Sequence, residues 1–146
     1  MSSIDCPFRT AEWAVKKLRQ ETKVIFIDFH AEATAEKLAL ANFLDGQASV
    51  LVGTHTHIQT ADERIFPKGL GYITDTGMTG PYDSVIGMKT EAAINRFLYQ
   101  TPQKYQTAFE QNHLCGLFAK IDVETGKTVE VERIQIPQFV TSATAE

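Results

Sequence analysis

Two short apolar runs separated by a helix-like segment constrain this chain more than any other feature. Residues 23–29 (Lys-Val-Ile-Phe-Ile-Asp-Phe) and 48–52 (Ala-Ser-Val-Leu-Val) are rich in β-branched and aromatic side chains, the pattern of strands buried on both faces. Ahead of the first, residues 10–21 place Ala11, Trp13, Ala14, Val15 and Leu18 among charged neighbours. That spacing predicts an amphipathic helix with Thr10 as its N-cap. Between the runs, residues 31–44 also read as helix, and Asp45-Gly46 supplies its stop. Helix, strand, helix, strand is the order of a parallel α/β unit. Such sheets take ligands in the crevice beyond the carboxyl ends of their strands.

The remainder is less regular. A short strand is expected at 72–74, a loop with turn chemistry at 75–83 and a helix at 89–100 that stops before Pro102. Strands are expected at 104–109, 114–123 and 128–136, with turns at 111–112 and 124–127, forming a C-terminal antiparallel meander. Residues 141–146 read as a frayed end. The 146 residues suit a single domain.

Composition excludes several classes. Hydrophobic content of 43% with 22% charged residues is that of an ordinary globular protein, not a disordered one. A net charge of -4 provides no basic stripe for duplex nucleic acid. No apolar segment is long enough to span a membrane. Cys6 and Cys115 lie far apart and form no C-x-x-C pair, so a disulfide framework is not expected. The first residues lack the basic and apolar blocks of a secretory signal, which makes the cytoplasm the expected location.

Chemistry enters with the histidines. The chain has four, and three of them follow β-type segments: His30 after the first run, His55 and His57 in Gly53-Thr54-His55-Thr56-His57 after the second. Neutral imidazole is the commonest transition-metal ligand. Two imidazoles at i and i+2 of an extended chain share a side, and parallel topology brings His30 to the same rim. The three together read as a metal site. His113, expected in the turn of a hairpin, reads as structural.

Asp28 lies two residues before His30 and is a candidate to orient its imidazole; pairing with a lysine or backbone amides explains it equally well. Glu32, Thr34 and Glu36 open the second helix, where acids also serve the helix dipole. Of the loop acids Asp62, Asp75 and Asp83, Asp75 is the most site-like, because it lies just beyond a strand. The loop at 74–83 offers hydroxyls and amides that could meet phosphate, though a lid or an oligomer contact accounts for it equally well.

Three blocks in order carry a resemblance: Asp28-Phe29-His30-Ala31-Glu32-Ala33-Thr34-Ala35-Glu36-Lys37, then Gly53-Thr54-His55-Thr56-His57-Ile58-Gln59-Thr60-Ala61-Asp62, then Ile73-Thr74-Asp75-Thr76-Gly77-Met78-Thr79-Gly80-Pro81-Tyr82. They resemble the YmdB-like branch of the calcineurin-like metallophosphoesterases, over residues 6–136. The resemblance implies an α/β fold: the C-terminal half of a metallophosphoesterase sandwich, with sheets flanked by helices. It implies a phosphodiesterase acting on small phosphodiesters, notably 2',3'-cyclic nucleotides, through two divalent metals, with iron or manganese the usual occupants. His30 and His55 are then expected to ligate one metal and His57 the other, with Asp28, Thr34 and Asp75 as supporting or substrate-facing candidates.

The family's N-terminal half would supply an aspartate, a bridging Glu-Asn pair and an Asn-His segment whose histidine is the expected proton donor. None of these precedes Cys6, so no catalytic acid is expected in this chain. A two-metal pair normally needs a bridging carboxylate. Three imidazoles alone are expected to hold at most one ion weakly, and these residues by themselves to be weak or inactive catalysts. Unpaired sheet edges would favour self-association. Two other classes fit the residues: a mononuclear hydrolase built on the His-x-His pair, and a non-catalytic nucleotide-binding or regulatory subunit.

Overall fold

The computed structural model describes residues 5–139, so the expected frayed end at 141–146 lies outside them. Helix α1 (Pro7–Leu18) starts earlier than expected. Pro7 sits in its first turn, where a missing N–H is no loss, and Cys6 rather than Thr10 is the N-cap residue. Strand β1 (Phe26–His30), helix α2 (Thr34–Leu44) and strand β2 (Val50–Thr54) follow in the expected order. Then come β3 (Arg64–Ile65), β4 (Gly71–Ile73), β5 (Gly80–Pro81), α3 (Thr90–Tyr99) and the long strands β6 (Asn112–Asp122) and β7 (Lys127–Ile136).

One sheet has the order β1-β2-β4-β3, with β1, β2 and β4 parallel and β3 antiparallel to β4. The other is antiparallel, β5-β6-β7. Alternation along β2 and β4 divides the core between two faces. Leu51 and Tyr72 join Val15, Leu40, Ala41 and Leu44 under the helices. Val50, Val52 and Ile73 turn the other way and pack against Leu117, Ala119 and Ile121 of β6. The layers are thus helices, mixed sheet, then antiparallel sheet: an α/β sandwich. Thr128 at the start of β7 donates its hydroxyl to the Ser49 carbonyl at 2.7 Å, and its backbone N–H donates to the Gly69 carbonyl at 2.9 Å. These two bonds seat the hairpin on the sheet.

Two expectations are corrected. The run at 23–29 does not form a strand buried on both faces. β1 is the edge of its sheet, and Phe26 is 62% exposed. Ile27 and Phe29 pack toward the helical core, whereas Phe26, Asp28 and His30 face outward. Residues 104–109 do not form a strand either. The Lys89 N–H donates to the Gln106 carbonyl and the Ala108 N–H to the Gly87 carbonyl, which tethers the segment to the loop before α3 instead of to β6. Among the described residues no helix is long and apolar enough to cross a membrane.

Candidate metal centre

Parallel pairing does most of the assembly. The register aligns His30 with Thr54, the last residues of β1 and β2. His55 therefore begins beside His30 although 24 residues separate them in the chain. The His30 and His55 rings pack edge to face with centroids 5.2 Å apart. His30 Nε2 and His55 Nδ1 face each other at 3.3 Å. On the other side of its ring, His30 Nδ1 lies 3.1 Å from the Thr54 hydroxyl.

This spacing can be tested against a metal. Two imidazole nitrogens bound at about 2.1 Å to one ion, at angles from about 90° to 110°, stand roughly 3.0–3.4 Å apart. The measured 3.3 Å falls inside that range. A hydroxyl accepting from His30 Nδ1 selects the tautomer whose Nε2 lone pair faces His55. Without a metal, a proton on His55 Nδ1 donated to His30 Nε2 satisfies the same contact, and an ion would take that proton's place.

His57 lines the same cleft, a hollow of about 220 Å³ walled also by His30, Thr54, His55, Asp75, Gly77 and Met78. It reaches the cleft by a different route from the expected one. The chain beyond Thr54 is not extended: φ is 146° at His55 and 63° at His57. Positive φ is uncommon outside glycine and clusters at functional sites. Among the described residues no three His, Cys, Asp or Glu side chains are gathered closely enough to hold an ion together. His30 and His55 fit one ion as a pair, and His57 stands apart as a donor on the same wall.

Asp75 lies against this loop and is 1% exposed. Its Oδ2 accepts the Thr56 N–H at 2.8 Å and the Lys37 ammonium at 3.2 Å, and its Oδ1 accepts the Gly77 N–H at 3.0 Å. Burial pushes the carboxyl up, but the bonds from Thr56, Gly77 and Lys37 outweigh burial and hold it below the ordinary 3.8. Asp62 is held low in the same way: burial opposes ionisation, and hydrogen bonds from the hydroxyls of Thr74 and Thr60 and the Thr74 amide prevail. Asp28 and Thr34 are exposed, and neither is hydrogen-bonded to a histidine.

The loop at 74–83 has little to offer an anion. The Thr76 N–H donates to the Gly53 carbonyl, that of Gly77 to Asp75, and that of Met78 to the His57 carbonyl. These amides support the histidine loop instead. Gln59 ties it further, its side-chain nitrogen lying 3.0 Å from the carbonyls of both Gly116 and Ile134. His113 is structural, though it lies in β6 and not in a turn. It is buried between Tyr82 and Phe139, with Nδ1 2.7 Å from the Pro137 carbonyl. Sequence reasoning missed Thr54 and Lys37. Thr54 was legible from register alone, as the residue opposite His30. A lysine at 37, on the buried side of α2 with Leu40, Ala41 and Leu44, signals a buried carboxylate partner.

A parallel α/β sheet with imidazoles gathered at its carboxyl rim defines a class of ligand- and metal-binding folds. Known proteins narrow it. The YmdB-like protein family profile matches residues 1–134, and the chain belongs to that family. It is 52% identical over 133 residues to the 2',3'-cyclic-nucleotide 2'-phosphodiesterase of Bacillus subtilis (strain 168), a match covering 91% of this chain and 50% of that protein. Among solved structures, a hypothetical protein from Thermus thermophilus superposes with a TM-score of 0.84 at 38% identity, covering 92% of this chain and 52% of that one. A novel phosphatase from Mycoplasma pneumoniae gives 0.82 at 39% identity, covering 89% and 46%. The chain spans about half the length of the curated relatives it matches.

Proposed function

We propose that this chain contributes imidazole ligands to a metal-dependent phosphodiesterase acting on small phosphodiesters, with 2',3'-cyclic nucleotides the favoured class. The observation that carries the reading is the His30 Nε2 to His55 Nδ1 separation of 3.3 Å at the sheet rim. The 52% identity to a 2',3'-cyclic-nucleotide 2'-phosphodiesterase supplies the substrate class.

His30 and His55 would hold one ion and His57 a second, with iron or manganese suited to nitrogen donors completed by oxygen. An ion held by these imidazoles would supply Lewis acidity toward phosphate and would activate water. The residues of this chain bind and orient. Thr54 fixes the His30 tautomer and ring plane through Nδ1. With Nδ1 so engaged, His30 is a donor and not a proton shuttle. Among the described residues no third His, Cys, Asp or Glu joins the His30–His55 pair, so these side chains by themselves would hold at most one ion weakly.

The test is made in a polypeptide of the relatives' full length. His30→Ala, His55→Ala and His57→Ala each lower bound iron or manganese, measured by elemental analysis, and abolish hydrolysis of 2',3'-cyclic AMP together with it. Native metal content in all three variants would refute the assignment.

A further inference from the structure

The most unusual group the proposed chemistry leaves unused is the ion pair between Lys37 and Asp75. Both side chains are buried, at 0% and 1% exposure, with Lys37 Nζ 3.2 Å from Asp75 Oδ2. Burying two charges costs several kcal/mol per ion before their attraction is counted, so such a pair is poor evidence of stability for its own sake. Its placement is specific. Asp75 accepts the N–H of Thr56, the residue between His55 and His57, and also the N–H of Gly77, which lines the same cleft. Thr56 is flanked by the two histidines with positive φ.

We infer that the Lys37–Asp75 pair is a positioning device that holds the His55-Thr56-His57 backbone in its strained form and so aims both imidazoles into the cleft. This rests on the metal reading above, and it adds Lys37 and Asp75 as positioning residues that touch neither metal nor substrate.

Strained φ values persist only where surrounding structure over-determines them. Besides the bonds from the Thr56 hydroxyl to the Ile58 carbonyl and from the Tyr82 hydroxyl to the His57 carbonyl, two backbone amides anchor the restraint. The Met78 N–H donates to the His57 carbonyl at 2.9 Å, fixing one side of the loop. Asp75 grips the central amide, fixing the other. A carboxylate is required because two oxygens must accept separate N–H groups in different directions. Asparagine has one acceptor oxygen, so either Thr56 or Gly77 would face an NH₂ donor. Lys37 makes the ionised carboxylate tolerable in the interior, and it reaches the site because α2 follows His30 directly. The helix that closes the first βαβ crossover thereby sets the aim of the histidines after the second strand.

The test uses the whole 146-residue chain in four forms: native, Asp75→Asn/Lys37→Met, Asp75→Glu and Leu44→Ala. The double variant removes both charges at once, leaving no uncompensated ion. Asp75→Glu keeps the pair but displaces the carboxylate from both amides. Leu44→Ala destabilises the same helix without touching the loop. In the metal-free chain, NMR should show the ring correlations of His55 and His57 displaced, and the Thr56 amide exchanging faster than global stability requires, in both Asp75 variants and not in Leu44→Ala. With Co²⁺ as the probe, the visible d–d absorption should report affinity weakened by about tenfold or more in the Asp75 variants, with Leu44→Ala close to native. Native ring correlations in the Asp75 variants overturn the inference, as does Co²⁺ affinity that falls in step with melting temperature across all the variants. Absence of Co²⁺ uptake by the native chain accords with a site of so few donors and leaves the metal reading to the full-length histidine variants; the ring correlations then decide the positioning role. Asp75→Glu carries the test if the double variant fails to fold.

Discussion

Gly53→Ala is the sharpest single probe of how this site is built. Gly53 lies in β2 and needs no left-handed conformation; its reason for being glycine is proximity. A Cβ there would stand 1.9 Å from the Thr74 carbonyl oxygen, 2.9 Å from the Thr74 carbonyl carbon and 2.7 Å from Cδ of Lys37. An ordinary carbon–oxygen contact is about 3.3 Å, so β2 and the exit of β4 would have to part by roughly 1.4 Å. The Lys37 methylene could yield, being side chain. The Thr74 carbonyl is backbone and cannot.

Overpacking of this kind costs about 1–3 kcal/mol and occasionally more. The displacement also breaks the bond from the Thr76 N–H to the Gly53 carbonyl, worth about 1 kcal/mol. The expected total is roughly 2–4 kcal/mol. At about 2–4 °C per kcal/mol for a chain of this size, the melting temperature should fall by about 4–16 °C. Urea unfolding followed by circular dichroism measures it, with the midpoint falling and the slope unchanged. The displaced segment carries Thr54 and His55, so the His30–His55 contact should open in the folded fraction, visible as loss of any nuclear Overhauser effect between the rings. A loss of stability below about 1 kcal/mol with the ring contact intact would refute the close-approach reasoning.

Four further outcomes follow from the same structure. Lys37→Ala leaves Asp75 as an uncompensated buried carboxylate and should cost about 3–5 kcal/mol by urea unfolding. Asp62 and Asp75 both have carboxyls held below the ordinary 3.8, so the stability they confer is complete above that value and is lost as pH falls through their lower folded values. Acid titration should therefore show stability declining below pH 3.8, with the decline shallower in Asp62→Asn. The Tyr82 phenol is pushed up to about 12 by burial and by its contact with the Cys115 thiol, so a late tyrosinate absorption phase should vanish in Tyr82→Phe. Leu51→Ala, in a fully buried position, should cost about 2–5 kcal/mol, whereas Phe26→Ser at the exposed edge of β1 should change stability little.

The fold was legible where periodicity and topology agree. The helix–strand order, the parallel strands β1, β2 and β4, α3 and the β6–β7 hairpin all follow from apolar patterning and turn residues. What patterning could not reveal is whether a strand has one neighbour or two. Residues 26–30 have the composition of a central strand, yet among the described residues β1 has only β2 beside it, and its Phe26, Asp28 and His30 side is exposed. Composition reports what a surface would bury, not whether a partner is present in the same 146 residues. Segment 104–109 departs from expectation for another reason: two backbone bonds hold it to the turn leading into α3, a pairing with no periodic signature.

The site was legible in part for the same physical reason. Parallel register predicted that His30 and His55 would meet, and the sheet delivers them to 3.3 Å. His57 reaches the expected wall of the cleft through a different geometry, since alternation holds only while the chain stays extended. Positive φ at His55 and His57 ends that extension, and what stabilises it lies elsewhere in sequence, in Asp75 and Lys37. A spacing rule can see two histidines; it cannot see a carboxylate eighteen residues beyond His57 gripping the amide between them. Edge position also leaves the proposed metal site open on one side. Strand β1 presents His30 on an uncovered face, and no third side chain among the described residues closes on the His30–His55 pair. If the remaining donors approach over that face, their docking should bury Phe26 and His30 together. Fluorine-labelled Phe26 would then shift on addition of a polypeptide carrying the other half of the relatives' length, and would stay unmoved if those donors arrive from the Gly77–Met78 side of the cleft.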